Sequence, residues 1–549
     1  MAESYQRLDY QELSSYKRLF LDYLHRYERL APFFTADPRD GEAWLERARR
    51  VAEKPRERDR LAAALHRQNA ALDADEKALE AIDHLAHGAL AIVTGQQVGL
   101  LGGPLYTLYK ALTAVELARR ATAAVGKPVV ALFWMDADDH DFEEVRKVRF
   151  LDRDHAVQEL SYAPEGKPTD VPVAEYRLQA AIEDLLSRLR ELLPESEFKA
   201  ETLSLLEECY RPGLTLPEAF GRLLLRLTRG LGLAMVNPAD PELKSLAASL
   251  FEREARERSE SGRRVKATSE ELLSLGYHAQ ATWSPQRLNL FYAAPGRFHI
   301  VSADGSFRLS GDGRSLSGED LAQLIRREPE RFSPNVFLRP LYQDTLLPTL
   351  AYVAGPNELA YFAQLAGVYQ HFDVPMPLVV PRASFTVVEK SQARFLQRYR
   401  VKLAELKAND ESVLNRILKE QAPPELGNLQ TDFERARACL QEITQAFSRD
   451  LAAVDPTLVA AAGSIQGKVL HLIQELENKS LRALKRKDET LRRQFLSTRT
   501  ALFPNFQLQE RELSAVHFLA RYGRFFVDMV RQAVAATELD TRQHIVIYA

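Results

Sequence analysis

The 549 residues of the chain are 46% hydrophobic and include 73 basic and 76 acidic residues. This length predicts a large core and more than one structural unit. The near balance of charge excludes an overall electrostatic footprint for nucleic acid or for an anionic membrane, so any anion site must be local.

The N-terminal segment MAESYQRLDYQELSSYKRLF has no apolar core of signal-peptide length, and no apolar run anywhere approaches the roughly 20 residues of a membrane-spanning helix. We therefore expect a cytoplasmic protein with no membrane partner. The two cysteines, Cys209 and Cys439, are far apart and form no Cys-x-x-Cys pair. We expect both to be reduced, structural thiols.

The first half of the chain begins with helices and then alternates strands with helices. Residues 1–88 are rich in charge and in Leu and Ala at helical spacing, which predicts a helical region that packs on the core. Residues 89–99 and 128–136 are short apolar runs ending in Gly or Asp and are typical of buried strands. Between them, Pro104 suits the first turn of an amphipathic helix.

The same pattern returns at residues 232–243, 349–367 and 376–384, where each apolar run ends in Gly, Pro, Asn or Asp. Strands that are apolar throughout and alternate with helices imply a parallel sheet covered on both faces. We expect an α/β fold with a Rossmann-like, doubly wound parallel sheet in residues 89–387.

Two inserted segments are predicted within this core, at about residues 144–231 and 244–332. The first contains one strand-like piece followed by helices. The second contains alternating runs at residues 276–313, broken by Pro-Gly and Asp-Gly turns, which predicts an antiparallel meander. Insertions of this kind commonly form the walls of a site.

A different spacing of apolar residues begins after the core. Between about residues 388 and 500 the steps alternate between three and four, which is heptad spacing and predicts a long antiparallel coiled-coil arm. The exposed seam of the arm suits a second copy of the chain, because twofold symmetry is the commonest arrangement of oligomers. Residues 501–549 are expected to return to the core and to end in a strand of its sheet.

The ligand of an open parallel sheet binds outside the carboxyl ends of the strands, near the point where the strand order reverses. Residues 95–104 follow the first strand, and their glycines allow backbone N–H groups to approach an anion. The pattern matches no established nucleotide loop, so an ordinary turn is the alternative. The candidate binding residues in and after this loop are Gly95, Gln96, Gln97, Gly99, Gly103, Pro104, Tyr106 and Lys110.

The second strand runs into an acidic string, WMDADDHDFEEV, at residues 134–145. Repulsion among these carboxylates must be offset by a cation, by protonation or by hydrogen-bond donors. Asp138 and Asp139 are candidate catalytic residues and Mg²⁺ ligands, and Asp136 is a candidate binding residue. The alternative is an acidic first helical turn that complements the helix dipole.

His140 lies within the acidic string and can exchange a proton near neutral pH, which makes it the first candidate for a general base. The alternative is a structural histidine that caps the following turn.

Residues 333–362 form the other polar-rich stretch. Arg339 suits the forked binding of a carboxylate or phosphate, and Asp344 is a polar residue within an apolar segment. Asn357 and Glu358 lie where a helix should begin. All four are candidate binding residues, although Arg339 can instead pair with a core acid and Asn357 can merely cap the helix.

Four stretches together resemble the cysteine-adding enzymes of bacillithiol biosynthesis. They are VTGQQVGLLGGPLYTLYKA, FWMDADDHDFEEV, SPNVFLRPLYQDTLLPTLAYVAGPNELAYF and LFPNFQLQERELS. The resemblance spans almost the whole chain from about residue 89. One departure is Asp138, where the family has glutamate; the carboxylate is kept and its reach is shorter.

The resemblance implies a Rossmann-like core with inserted segments, a coiled-coil dimerisation arm and a ligase activity. The expected reaction adds L-cysteine to the amino group of glucosaminyl malate and yields the low-molecular-weight thiol bacillithiol. An ionised carboxylate is a poor acyl donor, so we expect activation by ATP, with Mg²⁺ as the accompanying ion. The loop at 95–104 would then hold phosphate or a substrate anion, and Arg339 would hold the malate carboxylates.

Two functions of other classes remain open at the level of the sequence. One is a non-catalytic, nucleotide-binding scaffold whose coiled coil recruits partners. The other is a metal-dependent hydrolase that uses the acidic string, for which a histidine-rich ligand set is missing.

Overall fold

The computed structural model describes residues 5–13, 16–138, 142–164, 172–293, 296–303, 305–311, 313–421, 424–487, 489–536 and 542–549. The chain divides into two compact units, one made of Met1–Val387 with Gln507–Ala549 and the other of Val388–Phe506. Among the described residues, no helix combines the length and the apolar character that are needed to cross a membrane.

The strands within the described residues are, in chain order, β1 (Tyr5–Asp9), β2 (Leu90–Gln97), β3 (Val129–Asp136), β4 (Lys147–Leu151), β5 (Val157–Ser161), β6 (Leu233–Val236), β7 (Arg287–Ala293), β8 (Arg297–Ala303), β9 (Ser306–Leu309), β10 (Ser315–Leu316), β11 (Phe332–Pro334), β12 (Thr349–Ala354), β13 (Leu378–Pro381), β14 (Phe385–Val388) and β15 (Gln543–Tyr548).

The helices up to the end of the core are α1 (Arg18–His25), α2 (Gly41–Glu53), α3 (Arg58–Ala71), α4 (Glu76–Ala86), α5 (Tyr106–Val125), α6 (Phe142–Val145), α7 (Ala181–Leu192), α8 (Lys199–Cys209), α9 (Leu216–Leu227), α10 (Pro241–Leu246), α11 (Ala248–Arg256), α12 (Glu260–Ser274), α13 (Gly318–Arg327), α14 (Arg339–Leu346), α15 (Pro356–Phe362) and α16 (Ala366–Phe372). The later helices are α17 (Lys390–Arg398), α18 (Ser412–Glu420), α19 (Pro424–Val454), α20 (Thr457–Lys487), α21 (Glu489–Leu502), α22 (Gln509–Glu512), α23 (Ala515–Tyr522) and α24 (Phe525–Ala536). Short 3₁₀ helices lie at Tyr10–Leu13, Tyr27–Arg29, Ala31–Phe33, Leu100–Gly102, Val173–Glu175, Pro329–Arg331, Leu403–Lys407 and Pro504–Phe506.

A five-stranded parallel sheet forms the centre of the first unit, in the order β13-β12-β2-β3-β6. The strand order reverses between β2 and β12, as in the Rossmann fold. Strand β2 is buried from Leu90 to Val93, because helices α2 and α5 pack against it and leave neither face to solvent. The expected Rossmann-like fold is confirmed.

The inserted segments also contain the strands that the sequence predicts, and the first insertion contains β5 in addition. Strands β4 and β5 pair antiparallel in the first insertion. In the second, β7, β8 and β9 form the predicted antiparallel meander, which β10 and β11 extend at its two edges.

The two ends of the described chain pair with each other, which the sequence did not predict. Strand β1 runs antiparallel to β15, and β14 completes a separate three-stranded sheet. The prediction of a strand near the C-terminus is confirmed, but its placement in the central sheet is wrong. The expectation of a purely helical N-terminal region also misses β1, because its pairing partner is more than 500 residues away in sequence.

The second unit contains the predicted coiled coil. Helices α19 and α20 are each 31 residues long and pack against each other. The turn between them is stabilised by Asp455, whose carboxylate accepts the backbone N–H of Thr457 at 2.8 Å. An ion pair between Arg437 and Glu477 joins the two helices away from this turn.

Candidate active site

A cavity of about 650 Å³ lies at the carboxyl ends of β2, β3 and β12, at the reversal of strand order where an open parallel sheet binds its ligand. Many of the residues predicted from the sequence line it. They are Gly95, Gln96, Gln97, Tyr106, Lys110, Asp136, Arg339, Asn357 and Glu358. The structure therefore brings residues from separate regions of the sequence together around one cavity.

Lys110 is a fixed part of the cavity wall. Its side chain is buried, and its Nζ donates to the carbonyl oxygen of Gly95 at 2.7 Å and to Gln96 Oε1 at 3.0 Å. It also forms an ion pair with Glu358. Burial lowers the pKa of Lys110, and the carboxylate of Glu358 opposes this effect. With three acceptors around one ammonium group, Lys110 ties the end of β2 to α15.

Glu358 is held by further donors besides Lys110. One of its oxygens accepts the hydroxyl of Tyr352 at 2.7 Å, and the other accepts the backbone N–H of Gly355 at 2.7 Å. The second contact closes the first turn of α15. Both contacts fix the carboxylate in place, so Glu358 contributes a rigid negative charge at the edge of the cavity.

Arg339 supplies a buried positive charge on the cavity wall. Its guanidinium donates to Tyr361 Oη at 2.9 Å and to Gln343 Oε1 at 3.3 Å, and it lies 5.7 Å from the ring centre of Tyr352. Among the described residues, no carboxylate lies within 4 Å of this guanidinium. Burial alone disfavours its charge, but Tyr361, Tyr352 and Asp136 hold the pKa of Arg339 above its ordinary value. A substrate carboxylate or phosphate is a suitable partner.

The acidic string contributes two carboxylates to the cavity, from Asp136 and Glu144. Glu144 accepts a hydrogen bond from Gln97 Nε2 at 3.0 Å, which links the string to the end of β2. The cavity thus presents both signs of charge. This arrangement suits a substrate with carboxylates, an ammonium group and hydroxyls.

Two parts of the cavity wall contain residues that were not predicted from the sequence. The meander contributes Phe291, Arg297 and His299, and the Arg297 guanidinium stacks over the Phe291 ring at 3.7 Å. The segment GRFHI at 296–300 carried a signal, because a basic and an imidazole side chain alternate with apolar ones on a predicted strand.

The second part contains Arg382, which is buried. Its guanidinium donates to the two carboxylate oxygens of Glu510 at 2.9 and 2.5 Å. Burial alone would raise the pKa of Glu510, but Arg382 holds it below its ordinary range. The guanidinium also lies 5.5 Å from the ring centre of Tyr106. No local pattern identifies this pair, since its members are 128 residues apart.

A smaller cavity of about 160 Å³ adjoins the main one. The two share Pro356, Asn357 and Arg511 as wall residues. Arg511 is exposed and makes no ion pair with any described residue, so its charge is available at the border between the cavities.

The structure places several predicted residues away from the main cavity. Gly99 and Gly103 instead form a tight turn, in which a Cβ atom on Gly99 would lie 2.8 Å from the Cα of Gly103. Pro104 forms a bridge with Ser514. The proposed anion loop therefore reaches the cavity through Gly95, Gln96 and Gln97, and its second half is structural.

Asp138 and Asp344 are also placed elsewhere than predicted. The buried carboxylate of Asp138 pairs with Lys244 Nζ at 2.9 Å, which offsets its charge without a metal. Asp344 is buried and accepts hydrogen bonds from Tyr369 and from Gln343. Neither residue lines the main cavity among the residues that the structure describes.

Asp139 and His140 lie outside the described residues, so their roles stay predictions. Within the described part of the chain, no group of three or more His, Cys, Asp or Glu side chains is arranged to hold a metal ion.

Comparison with known proteins agrees with this architecture. Residues 4–383 match the family model described as Bacillithiol biosynthesis BshC, N-terminal Rossmann-like domain. Residues 385–549 match Bacillithiol biosynthesis BshC, C-terminal coiled-coil domain.

Individual relatives span nearly the whole chain. The protein named "Putative cysteine ligase BshC" from Salinibacter ruber is 36% identical over 538 residues, which is 97% of each chain. A protein of the same name from Koribacter versatilis is 36% identical over 520 residues, or 94% of this chain and 95% of that one. A crystal structure from Campylobacter jejuni, titled as an arginyl tRNA synthetase, covers 82% of this chain and 92% of that chain at 10% identity; its TM-score of 0.22 is too low to inform the fold. On both family models and these relatives, the chain belongs to the bacillithiol biosynthesis BshC family.

Proposed function

We propose that the main cavity joins L-cysteine to the amino group of glucosaminyl malate through an amide bond, the last step in forming bacillithiol. The family assignment and the names of the relatives support a cysteine ligase. The observation that carries the proposal is Arg339, a buried cation without a carboxylate within 4 Å among the described residues. It faces a cavity large enough for a small-molecule substrate.

The chemistry requires an activated carboxylate. In the proposed reaction the cysteine carboxylate is activated by ATP, and one carboxylate oxygen leaves with a phosphate group when the amine attacks. One C–N bond forms and one C–O bond breaks. The amine must lose a proton to be nucleophilic, and His140 remains our proposed general base.

The described side chains then bind and orient the two substrates. Arg339 and Arg511 are suited to the malate carboxylates. Asp136 and Glu144 suit an ammonium group or sugar hydroxyls, and Asn357 suits the amino acid. Lys110 and Glu358 hold the framework, because their charges are already satisfied by each other.

We further propose that the coiled coil pairs with a second copy of the chain. Both long helices leave large apolar side chains in solvent, namely Ile443, Phe447, Ile465, Leu472 and Leu476, each between 45% and 61% exposed. These residues belong to the predicted heptads. Apolar side chains at heptad spacing on two long helices are the usual basis of further helix packing.

The test of the activity uses purified protein with isotope-labelled cysteine, glucosaminyl malate, ATP and Mg²⁺. We expect a labelled amide in the complete mixture and none when any one substrate or ATP is omitted. Nucleotide binding without amide formation would contradict the proposal and favour a non-catalytic scaffold.

The role of Arg339 is tested by R339M. We expect the KM for glucosaminyl malate to rise about 10- to 100-fold, because a charge-assisted hydrogen bond to the substrate is lost. The matched control is R331M, since Arg331 also contacts a tyrosine hydroxyl at 2.8 Å and lies 5.9 Å from its ring centre, but outside the cavity. Steady-state kinetics that give the same KM for both variants would rule out substrate binding by Arg339.

A further inference from the structure

A buried acid that does not line the cavity lies at the start of a hydrogen-bond chain that reaches it. Glu254 of α11 is fully buried, and among the described residues no cation lies within 4 Å of its carboxyl group. One of its oxygens, Oε2, has no hydrogen-bond partner within the part of the chain that the structure describes. Burial raises the pKa of Glu254, which favours the neutral acid.

The other oxygen of Glu254, Oε1, accepts hydrogen bonds from three donors. It accepts the hydroxyls of Ser261 at 2.8 Å and Ser259 at 3.2 Å, and the backbone N–H of Asn289 at 3.4 Å. Ser259 and its neighbour Arg258 have left-handed backbone, with φ of 59° and 50°. Non-glycine residues rarely adopt this conformation, and the contacts to Glu254 offset its cost.

The chain of hydrogen bonds continues from Asn289 towards the cavity. Asn289 Nδ2 donates to the Ser261 hydroxyl at 2.6 Å, and Asn289 Oδ1 accepts from Asn335 Nδ2 at 2.8 Å. The backbone N–H of Asn335 also donates to the carbonyl oxygen of Asn289, at 3.0 Å. Asn289 is thus held from one side by Glu254 and Ser261, and it holds Asn335 on the other.

Asn335 in turn holds the turn that leads into α14, whose first residue is Arg339. Its Oδ1 accepts the backbone N–H groups of Phe337 at 3.0 Å and Leu338 at 3.3 Å. Its carbonyl oxygen accepts the N–H of Arg339 at 2.8 Å. Asn335 and Arg339 both line the cavity, so the turn between them sets where the guanidinium points.

We propose that Glu254 is a positioning residue for Arg339, acting through Asn289 and Asn335. The inference rests on the proposed function for the identity of the substrate that Arg339 binds. Its consequence is that the affinity of the cavity for a carboxylate depends on an interior acid that never touches the substrate.

The geometry of this chain of hydrogen bonds indicates which substitutions should be tolerated. Glutamine at position 254 keeps an acceptor at Oε1 and resembles the neutral acid in shape. Leucine keeps the volume but removes the acceptor. S261A removes one hydroxyl that both Glu254 and Asn289 use, and it is the mildest break in the chain.

The experiment compares E254Q, E254L and S261A with a matched control, S269A. Ser269 lies in the same helix as Ser261 and also makes two hydrogen bonds, to the carbonyl oxygen of Val265 and with Gln364, neither of which leads to Asn289. Malate binding is measured by calorimetry. The KM for glucosaminyl malate and kcat are measured in parallel, on protein whose folding is verified by circular dichroism.

We expect S261A, which removes two buried hydrogen bonds, to weaken malate binding and to raise the KM about 5- to 10-fold. E254L removes the acceptor of three donors and should raise the KM at least as much, with kcat within about twofold for both variants. S269A should match the parent chain and E254Q should remain close to it. Unchanged binding and KM in folded S261A and E254L would overturn the proposal, as would an equal loss in S269A.

A crystal structure of S261A provides a readout that needs no ligand. We expect the Asn335 side chain and the Arg339 guanidinium to shift relative to β12, and an unshifted guanidinium would also overturn the proposal. If the parent chain binds malate but forms no amide, the proposed function fails while the positioning role of Glu254 can still stand.

Discussion

Asp344 brings a carboxyl group into the interior of the first unit, where it has hydrogen-bond donors but no ion pair among the described residues. Desolvation raises the pKa of Asp344 from its ordinary 3.8 to about 6, although the donors Tyr369 and Gln343 and the charge of Arg339 oppose this shift. The folded state therefore holds its proton to higher pH than the unfolded state does. Stability from this group is present at low pH and is lost as the pH rises from about 4 to about 6.

This pKa shift predicts a difference between the parent chain and D344N. Between about pH 5 and pH 7.5, the parent should lose about 1 kcal/mol more unfolding free energy than D344N, because asparagine does not ionise. Urea titrations at the two pH values measure the difference. An equal pH dependence in both proteins would show that Asp344 does not titrate in this range.

Individual residues show where sequence reasoning succeeds and where it stops. Arg339 and Asn357 were predicted at the site because each lies at an end of a recognisable element. The saturated contacts of Lys110 were not predictable, since its partner Glu358 is distant in sequence. Asp138 was predicted to bind Mg²⁺, because the sequence does not show that Lys244 Nζ lies 2.9 Å from its carboxylate.

The heptad spacing of α19 and α20 is the clearest element-level signal in the chain, and both helices form where it predicts. Their packing against each other leaves apolar residues in solvent, including Phe447 at 60% exposure and Leu472 at 60%. Because water-exposed apolar surface of this extent is costly, the proposed second copy has a defined place to bind.

Charged substitutions on this surface test the proposed pairing. We expect F447E and L472E together to convert a dimer into a monomer, since each glutamate would have to be buried without a partner. Q445E is the matched control, because Gln445 is an exposed polar residue of the same helix. Analytical ultracentrifugation measures the mass, and a double variant that stays dimeric would contradict pairing through this surface.

The elements of the central sheet were predictable for a simple reason, and β1 was not. Each strand of the parallel sheet is a short apolar run because it is buried on both faces. In β1, Leu8 alone is buried, and the other side chains are exposed or half-buried. Such a strand has no local signature, and only its pairing with β15 defines it.

Two buried histidines influence the stability of the first unit as a whole. Desolvation lowers the pKa of His517 from 6.5 to about 3, assisted by Arg521 and His155. Desolvation also lowers the pKa of His544 to about 4, although the charge of Glu510 opposes this shift. The unfolded chain binds protons at both positions more readily than the folded one does. Their stability contribution is thus complete above about pH 6.5 and is lost as the pH falls.

The chain should therefore be sensitive to acid. From about pH 7.5 to pH 5, each histidine should reduce the unfolding free energy by about 2 kcal/mol, opposing the smaller gain from Asp344. H517Q should lose correspondingly less stability over this interval than the parent chain, as measured by urea titration. A pH dependence identical to that of the parent would exclude His517 as a cause.

Antiparallel pairing of β1 with β15 also bears on the order of events during synthesis. A ribosome makes residues 5–9 more than 500 residues before their backbone partners at residues 543–547. The parallel sheet can assemble while translation proceeds, but this small sheet must wait until residues 543–547 have been made. A nascent chain stalled before that point would display an unpaired strand edge, which is the kind of surface that chaperones and neighbouring chains capture.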